Sequence, residues 1–124
     1  MKFQGIVCII TGGSGGLGEA TTKRLLELGA KVMIFDLQEP KDELDIINCP
    51  NLSFQRVDIT DEKQVQIAIE NTVKIFGKVN VLINCAGIGY IEPTITNNGT
   101  HDYKKFINVL NINLVGTFIC CKYA

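Results

Sequence analysis

Residues 11–18 read TGGSGGLG, with five glycines in eight positions. The run follows residues 6–10, IVCII, a continuous apolar stretch rich in β-branched side chains. An apolar run of this length without alternation suits a strand buried on both faces, as in a parallel sheet. A strand, a glycine turn and then a helix bring backbone N–H groups to a positive helix terminus with no side chains in the way. Two glycine registers overlap there, Gly13-x-Gly15-x-x-Gly18 and Thr11-Gly12-x-x-x-Gly16-x-Gly18. Either suits a turn that cradles a pyrophosphate, and a glycine turn with no ligand is the plain alternative. A triphosphate loop is set aside, because Glu19-Ala20 follow Gly18 where Lys and then Ser or Thr would be needed.

The chain continues as alternating strands and helices. Residues 19–28 carry Ala20, Leu25 and Leu28 at helical spacing, with Gly29 as a stop. Residues 31–36, KVMIFD, read as a second buried strand ending in an acid. Pro40 breaks the chain, residues 42–48 have room for a short helix, and residues 53–57 form a third strand leading into Asp58. Asp61 caps the next helix, with Gln64 three residues later as in a capping box. Val65, Ala68, Ile69, Val73 and Phe76 form its apolar stripe, and Gly77 ends it. Residues 79–84, VNVLIN, are a fourth buried strand, and the glycines, Pro93 and Asn97-Asn98-Gly99 mark residues 85–100 as loop. From Asp102 onward the sequence is helix-like, and apolar on more than one face between Phe106 and Ile119, which predicts a helix buried on several sides. The order predicts an α/β, Rossmann-type doubly wound parallel sheet with strand order 3-2-1-4, in three αβα layers, over residues 1–124 as one domain.

Composition narrows the function classes. A net charge of -1 offers no basic field for nucleic acid and no polybasic patch for a membrane. The apolar stretches are short and interrupted, so no transmembrane helix is expected. Cys8, Cys49, Cys85, Cys120 and Cys121 form no CxxC pair and His101 is the single histidine, so no metal site is expected. An odd, scattered set of thiols suits a reducing compartment, with Cys8 and Cys85 acting as small hydrophobes. MKFQG reads as a short start to the first strand, too brief for a secretory signal. One Lys and no acid in residues 1–18 also fit an uncleaved mitochondrial address.

Asp36 directs the glycine turn toward one ligand class. It ends the second strand 18 residues after Gly18, where a carboxylate accepts both hydroxyls of an adenosine ribose and repels a 2′-phosphate. Leu37 follows, and no Arg or Lys lies in the glycine run, so NAD is favoured over NADP. An acid at a strand end is also a common turn or cap residue; it gains weight here from the glycines before it.

Asn84-Cys85-Ala86-Gly87 closes the fourth strand, Asp58 follows the third, and Asn113-Leu114-x-Gly116 lies in the last helix. Together with Thr11-Gly12-x-x-x-Gly16-x-Gly18, this order resembles the short-chain dehydrogenase/reductase family along essentially the whole chain. The resemblance selects the register of Gly12, Gly16 and Gly18. Within the family the likeness is to type 2 3-hydroxyacyl-CoA dehydrogenases, which also act on hydroxysteroids. It implies hydride transfer between NAD and a secondary alcohol, a small-molecule substrate, a homotetramer when full length, and a mitochondrial or cytoplasmic setting. It implies that Ser14, Gly15 and Leu17 line the cofactor turn, with Gly15 standing where many relatives carry Ser. Asp36 with Leu37 would face the adenosine ribose, and Asp58 with Ile59 the adenine. Asn84, Cys85, Ala86 and Gly87 would run beside the cofactor, and Asn113 would hold a water in the proton relay. Asn108 and Asn111 are read as surface or packing residues, and His101 as capping or packing a loop, with no catalytic role.

The family's proton transfer uses a Tyr whose pKa, ordinarily about 10, is lowered by a Lys four residues later, with a Ser placing the oxygen. Here Thr94 and Ile107 follow Tyr90 and Tyr103 at that spacing, and Tyr123 lies next to Ala124. The expectation is a cofactor-binding portion that ends before the Tyr-x-x-x-Lys region and is inactive alone. The alternative is a non-catalytic protein that binds NAD or pairs with another subunit.

Overall fold

All five residues of β1 (Val7–Thr11) are buried, as its unbroken apolar sequence requires. In a computed structural model that describes residues 3–41 and 49–124, β1 lies in the middle of a four-stranded sheet. β2 (Lys31–Asp36) flanks it on one side, followed by β3 (Leu52–Arg56), and β4 (Val81–Asn84) flanks it on the other. All pairings are parallel, so the order is the expected 3-2-1-4. The helix expected over residues 42–48 lies outside the described residues.

Strand alternation divides the core in two. Cys8, Ile10, Val32 and Ile34 pack with Leu25 of α1 (Gly16–Glu27) on one face. Ile9, Met33 and Phe35 pack on the other with Val65, Ala68 and Ile69 of α2 (Glu62–Phe76) and with Ile119 and Cys120. Ile119 and Cys120 belong to α4 (Thr117–Tyr123), which continues α3 (Tyr103–Leu110) through a π-helical turn, Asn111–Gly116. Burial raises the Cys120 thiol to about 11, with the neighbouring Cys121 adding to the shift, so Cys120 stays protonated as a core residue. Lys122 Nζ and the Tyr123 hydroxyl both donate to Glu62 Oε1, at 2.5 and 2.9 Å, which ties α4 to the start of α2.

Several local expectations are corrected. α1 begins at Gly16, inside the glycine run, and its buried stripe is Gly18, Thr22 and Leu25, while Ala20 is exposed. In α2, Thr72 is buried and Val73 is 44% exposed, the reverse of the expected stripe. Thr22 and Thr72 tolerate burial because each hydroxyl bonds the carbonyl four residues earlier, Gly18 and Ala68. β4 starts at Val81 rather than at residue 79, and its residues are half-buried, because it is the sheet edge. Asn80 exchanges two hydrogen bonds with the Val7 backbone there, one through its side chain. The loop of residues 85–100 contains a small hairpin, β5 (Ile95–Thr96) with β6 (Gly99–Thr100).

The largest correction concerns the last helix. It was expected to be buried on several sides, but only Gly116, Ile119 and Cys120 are, while Phe106, Leu114 and Phe118 are exposed. Tyr103–Tyr123 is also long and apolar enough, by length and composition, to cross a membrane, which the interrupted apolar runs did not suggest. Here its buried side docks on the sheet and α2 instead.

The α2 cap matches the expected box in part. Asp61 Oδ1 accepts the Gln64 N–H at 3.0 Å, but the Gln64 side-chain oxygen Oε1 accepts the Asp58 N–H rather than that of Asp61. The Gln64 hydrogen bonds hold the Asp61 carboxyl below its ordinary value. A depressed carboxyl contributes stability that is present above its unfolded pKa and is lost as pH falls through the folded one. Asp61→Ala should therefore lower the midpoint of thermal unfolding at pH 7, and the gap from wild type should close as pH falls below the carboxylate range. Calorimetric scans across pH check this.

Candidate functional site

The carboxyl ends of β1, β2 and β4 place Thr11, Asp36 and Asn84 at one end of the sheet. The chain runs to β2 on one side of β1 and to β4 on the other, so a crevice opens between these ends. It holds a cleft of about 560 Å³ lined by the glycine turn, by the segments after β2, β3 and β4, and by the start of the π-helical turn.

The glycine turn shows which register carries the geometry. Gly12 has φ +66°, and a Cβ there would lie 2.7 Å from the Ala86 nitrogen. A Cβ on Gly18 would lie 2.0 Å from the Gly12 carbonyl oxygen. Helix α1 thus starts in contact with the strand end, and the loop after β4 passes against Gly12. Gly15 is extended and has open space where a Cβ would go. Gly13 is also tight, with an added Cβ 2.9 Å from Ile34 Cγ1, but the open space at Gly15 and the φ of +52° at Gly16 favour the register of Gly12, Gly16 and Gly18. Gly15 leaves the N-terminus of α1 without a side-chain cap, so first-turn N–H groups face the cleft edge free of one.

Gly12, Gly15, Gly16, Leu17, Asp36, Leu37, Asp58, Ile59, Cys85, Ala86 and Gly87, all expected site residues, line the cleft. Four others lie behind it. Gly18 packs on Gly12, as described. Ser14 donates its N–H to Asp36 Oδ2 at 3.1 Å, and its hydroxyl is buried with no partner among the described residues. Asn84 donates to Cys121 Sγ at 3.6 Å. Asn113 accepts the Ile88 N–H at 2.9 Å and donates to the Ile88 carbonyl at 2.8 Å, bracing the loop from the helix side.

Two acids present oxygens to the cleft. Asp36 accepts the Ser14 and Gln38 N–H groups, one on each carboxylate oxygen, and each oxygen keeps a lone pair for a further donor. Asp58 uses Oδ1 for both the Thr60 N–H, at 2.9 Å, and the Thr60 hydroxyl, at 2.7 Å. Outside the cleft, Glu92 accepts from Lys105 at 3.0 Å, and that pairing raises the Lys105 pKa. His101 meets the Asp102 carbonyl at 2.9 Å, which suits the expected loop cap.

Other cleft residues were missed by sequence reasoning. Phe35, Val57, Thr60, Ile88 and Ile112 line it, and so do Asn108 and Asn111, which were read as surface or packing residues. Both asparagines are exposed, and the crossing of the last helix turns their side of it toward the cleft. Thr11, fully buried, was also missed as a site residue: its hydroxyl accepts the Ala86 N–H at 3.2 Å and its carbonyl the Cys85 N–H at 3.1 Å. A Thr closing an apolar strand before glycine was the available signal.

Comparison with known proteins follows this geometry. The short chain dehydrogenase family pattern matches residues 6–124. Human 3-hydroxyacyl-CoA dehydrogenase type-2 is 40% identical over 120 residues, which are 94% of this chain and 46% of that protein. The chain thus spans about half the length of the curated relatives it matches. Among solved structures, a 3-ketoacyl-(acyl-carrier-protein) reductase from Brucella melitensis complexed with NADH superposes with a TM-score of 0.85 at 30% identity, over 98% of this chain and 49% of that one. A short chain dehydrogenase from Leptospira borgpetersenii with bound NAD+ gives a TM-score of 0.85 at 28% identity, over 98% and 45%. With this match along nearly its whole length, and the turn glycines in the register the fold demands, the chain belongs to the short-chain dehydrogenase family.

Proposed function

We propose that this chain is the NAD-binding portion of an oxidoreductase acting on a secondary alcohol, of 3-hydroxyacyl-CoA or hydroxysteroid type. The observation that carries the cofactor reading is Asp36, held at the cleft by the Ser14 N–H of the glycine turn itself. One side chain thereby joins the two halves of a dinucleotide site. Asp36 would accept the adenosine ribose hydroxyls beside Leu37, and the N–H groups at the start of α1 would face the pyrophosphate. The Ser14 hydroxyl, buried and unpartnered, is the polar atom the turn offers there. Asp58 and Ile59 would border the adenine, and Cys85, Ala86 and Gly87 would run along the nicotinamide half. Bound NAD supplies the hydride acceptor. Asn113, already spanning Ile88, would hold a water near the reacting hydroxyl. No Tyr-x-x-x-Lys occurs within the 124 residues, so on this reading they bind NAD without oxidising alcohol unaided.

Calorimetry with NAD and NADP tests the proposal. Wild type should prefer NAD. Asp36→Ala should weaken NAD binding roughly 10- to 100-fold, as expected for losing a charge-assisted hydrogen bond, and narrow the preference. Asp36→Asn, which still accepts the Ser14 N–H, should narrow the preference with the turn intact. NAD affinity unchanged by both substitutions would remove Asp36 from the site.

A second reading, in which the chain pairs with another subunit, draws on the apolar outer face of the last helix, where Leu114 is 63% and Phe118 64% exposed. A homotetramer of the full-length protein is the form of this reading that the family resemblance implies. Sedimentation over a concentration range separates a monomer from either.

A further inference from the structure

Gly116 stands inside the last helix, where the π-helical turn passes into α4, with ordinary helical backbone at φ −59°. Any residue adopts that conformation, and glycine there costs helix stability relative to alanine. What glycine provides at this point is space. An added Cβ would lie 2.7 Å from both Cγ1 and Cδ1 of Ile59, a residue of the cleft wall. Neither backbone is free to back away. The helix is held before Gly116 by Asn113, which exchanges two hydrogen bonds with Ile88, and after it by the buried Ile119 and Cys120. The segment around Ile59 is held by the Asp58 N–H on Gln64 Oε1 at 3.0 Å, the Thr60 N–H on Asp58 Oδ1 at 2.9 Å and the Asp61 N–H on the Asp58 carbonyl at 3.0 Å. Any adjustment therefore falls on the Ile59 side chain. It is only 6% exposed and shares a core cluster with Val57, Val65, Ala68 and Ile119. A close-packed core has little room for a displaced side chain, and the cleft is the open space beside it.

We propose that Gly116 is a positioning residue: its missing side chain lets Ile59 stand back against the core and keeps that wall of the cleft clear for a ligand. Gly116 itself is not among the residues that line the cleft, so it acts through Ile59. A methyl group on it would drive Ile59 toward the ligand. The inference rests on the dinucleotide reading above, which supplies NAD as the probe, and adds to it a residue behind the wall.

Gly116→Ala, Ile59→Ala and the double variant form a cycle with wild type, read in two ways. Calorimetry gives NAD affinity on protein shown folded by circular dichroism, and urea titration gives stability. Gly116→Ala should weaken NAD binding roughly tenfold, the affinity equivalent of modest overpacking. Ile59→Ala removes both contacted atoms and leaves a gap that the new methyl group fits. In that background, Gly116→Ala should leave NAD affinity where Ile59→Ala alone set it, and should raise the urea midpoint rather than lower it. Residues in contact couple in this way, whereas independent ones add. A purely structural role for Gly116 would lower the urea midpoint and leave the NAD affinity of the folded protein unmoved, which would overturn the inference and leave the dinucleotide site standing. An equal loss of affinity in both backgrounds would overturn it too, because Ile59 would then not be the residue displaced. Should Gly116→Ala fail to fold, the double variant decides: folded, it supports the inference; unfolded where Ile59→Ala folds, it overturns it. Ile59→Val, which removes Cδ1 alone, replaces Ile59→Ala if that variant does not fold, with partial recovery expected. Failure of folded wild type to bind NAD would overturn the dinucleotide reading and the inference together.

Discussion

Gly18→Ala is expected to abolish dinucleotide binding and to lower the unfolding free energy by about 3 kcal/mol or more, the upper range for overpacking. The added Cβ would sit 2.0 Å from the Gly12 carbonyl oxygen, 2.7 Å from its carbon and 2.9 Å from the Gly13 Cα. All three are backbone atoms, so no side-chain rotation relieves the contact. Either α1 slides off the end of β1 or the glycine turn opens, and each route separates the helix N-terminus from the turn. Gly15→Ala is the control from the same run. An added Cβ there meets nothing within 4 Å, and the backbone at φ −160° is open to any residue. That variant should keep wild-type stability, and any change in binding reports only the methyl group in the cleft. Denaturant titration and NAD calorimetry on the pair check the prediction. Equal stability of Gly18→Ala and Gly15→Ala would mean that α1 does not start against Gly12.

The contrast between these two glycines also shows where the sequence was legible. Spacing alone left two registers open, and the family resemblance chose between them. The structure supplies the physical reason: Gly12, which the second register alone contains, lies against both Ala86 and Gly18, Gly16 has a positive φ, and Gly15 is open. The sheet order was readable because each strand is a short apolar run bounded by turn residues, and right-handed crossovers leave few ways to connect them. Asp36 was readable because it ends a strand, and Asp58, two residues past the end of β3, through the family resemblance.

Thr60, Phe35 and Ile112 were not, because they reach the cleft through the strand register and the crossing of the last helix, which local pattern does not encode. Thr22 and Thr72 were missed for another reason: their hydroxyls are satisfied inside their own helices, so residues polar by type behave as core. The last helix failed in the opposite direction. Its apolarity was visible on several faces, but apolarity says that a face favours cover and not that the described residues provide it. Phe106 and Phe118 remain exposed.

Phe35→Ala is the second large effect expected, and it couples the core to the cleft. Phe35 is the largest of the fully buried side chains among the described residues, and it packs with Ile9, Met33, Val57 and Val65. Its truncation should cost about 3–5 kcal/mol, against a total of about 5–15 kcal/mol for a domain of ordinary stability. The residue also borders the cleft, its backbone carbonyl accepts the Gly12 N–H at 2.8 Å, and Asp36 is the next residue. The cavity left behind would lie near the turn and beside Asp36, the acid proposed to hold the ribose. Binding should therefore weaken along with folding, whereas a truncation remote from the cleft would affect folding alone. Ligand linkage separates the two effects. NAD at 100 times its dissociation constant adds about 2.7 kcal/mol to a protein that binds it only when folded. Wild type should gain that increment at a fixed NAD concentration chosen for it, and Phe35→Ala should gain less at the same concentration, because its site is looser. Phe35→Leu, which refills most of the volume, should recover most of both losses. Urea titrations of the three proteins with and without NAD read stability and linkage together. A Phe35→Ala protein that loses stability yet gains the full wild-type increment would show that the cleft does not depend on this side chain.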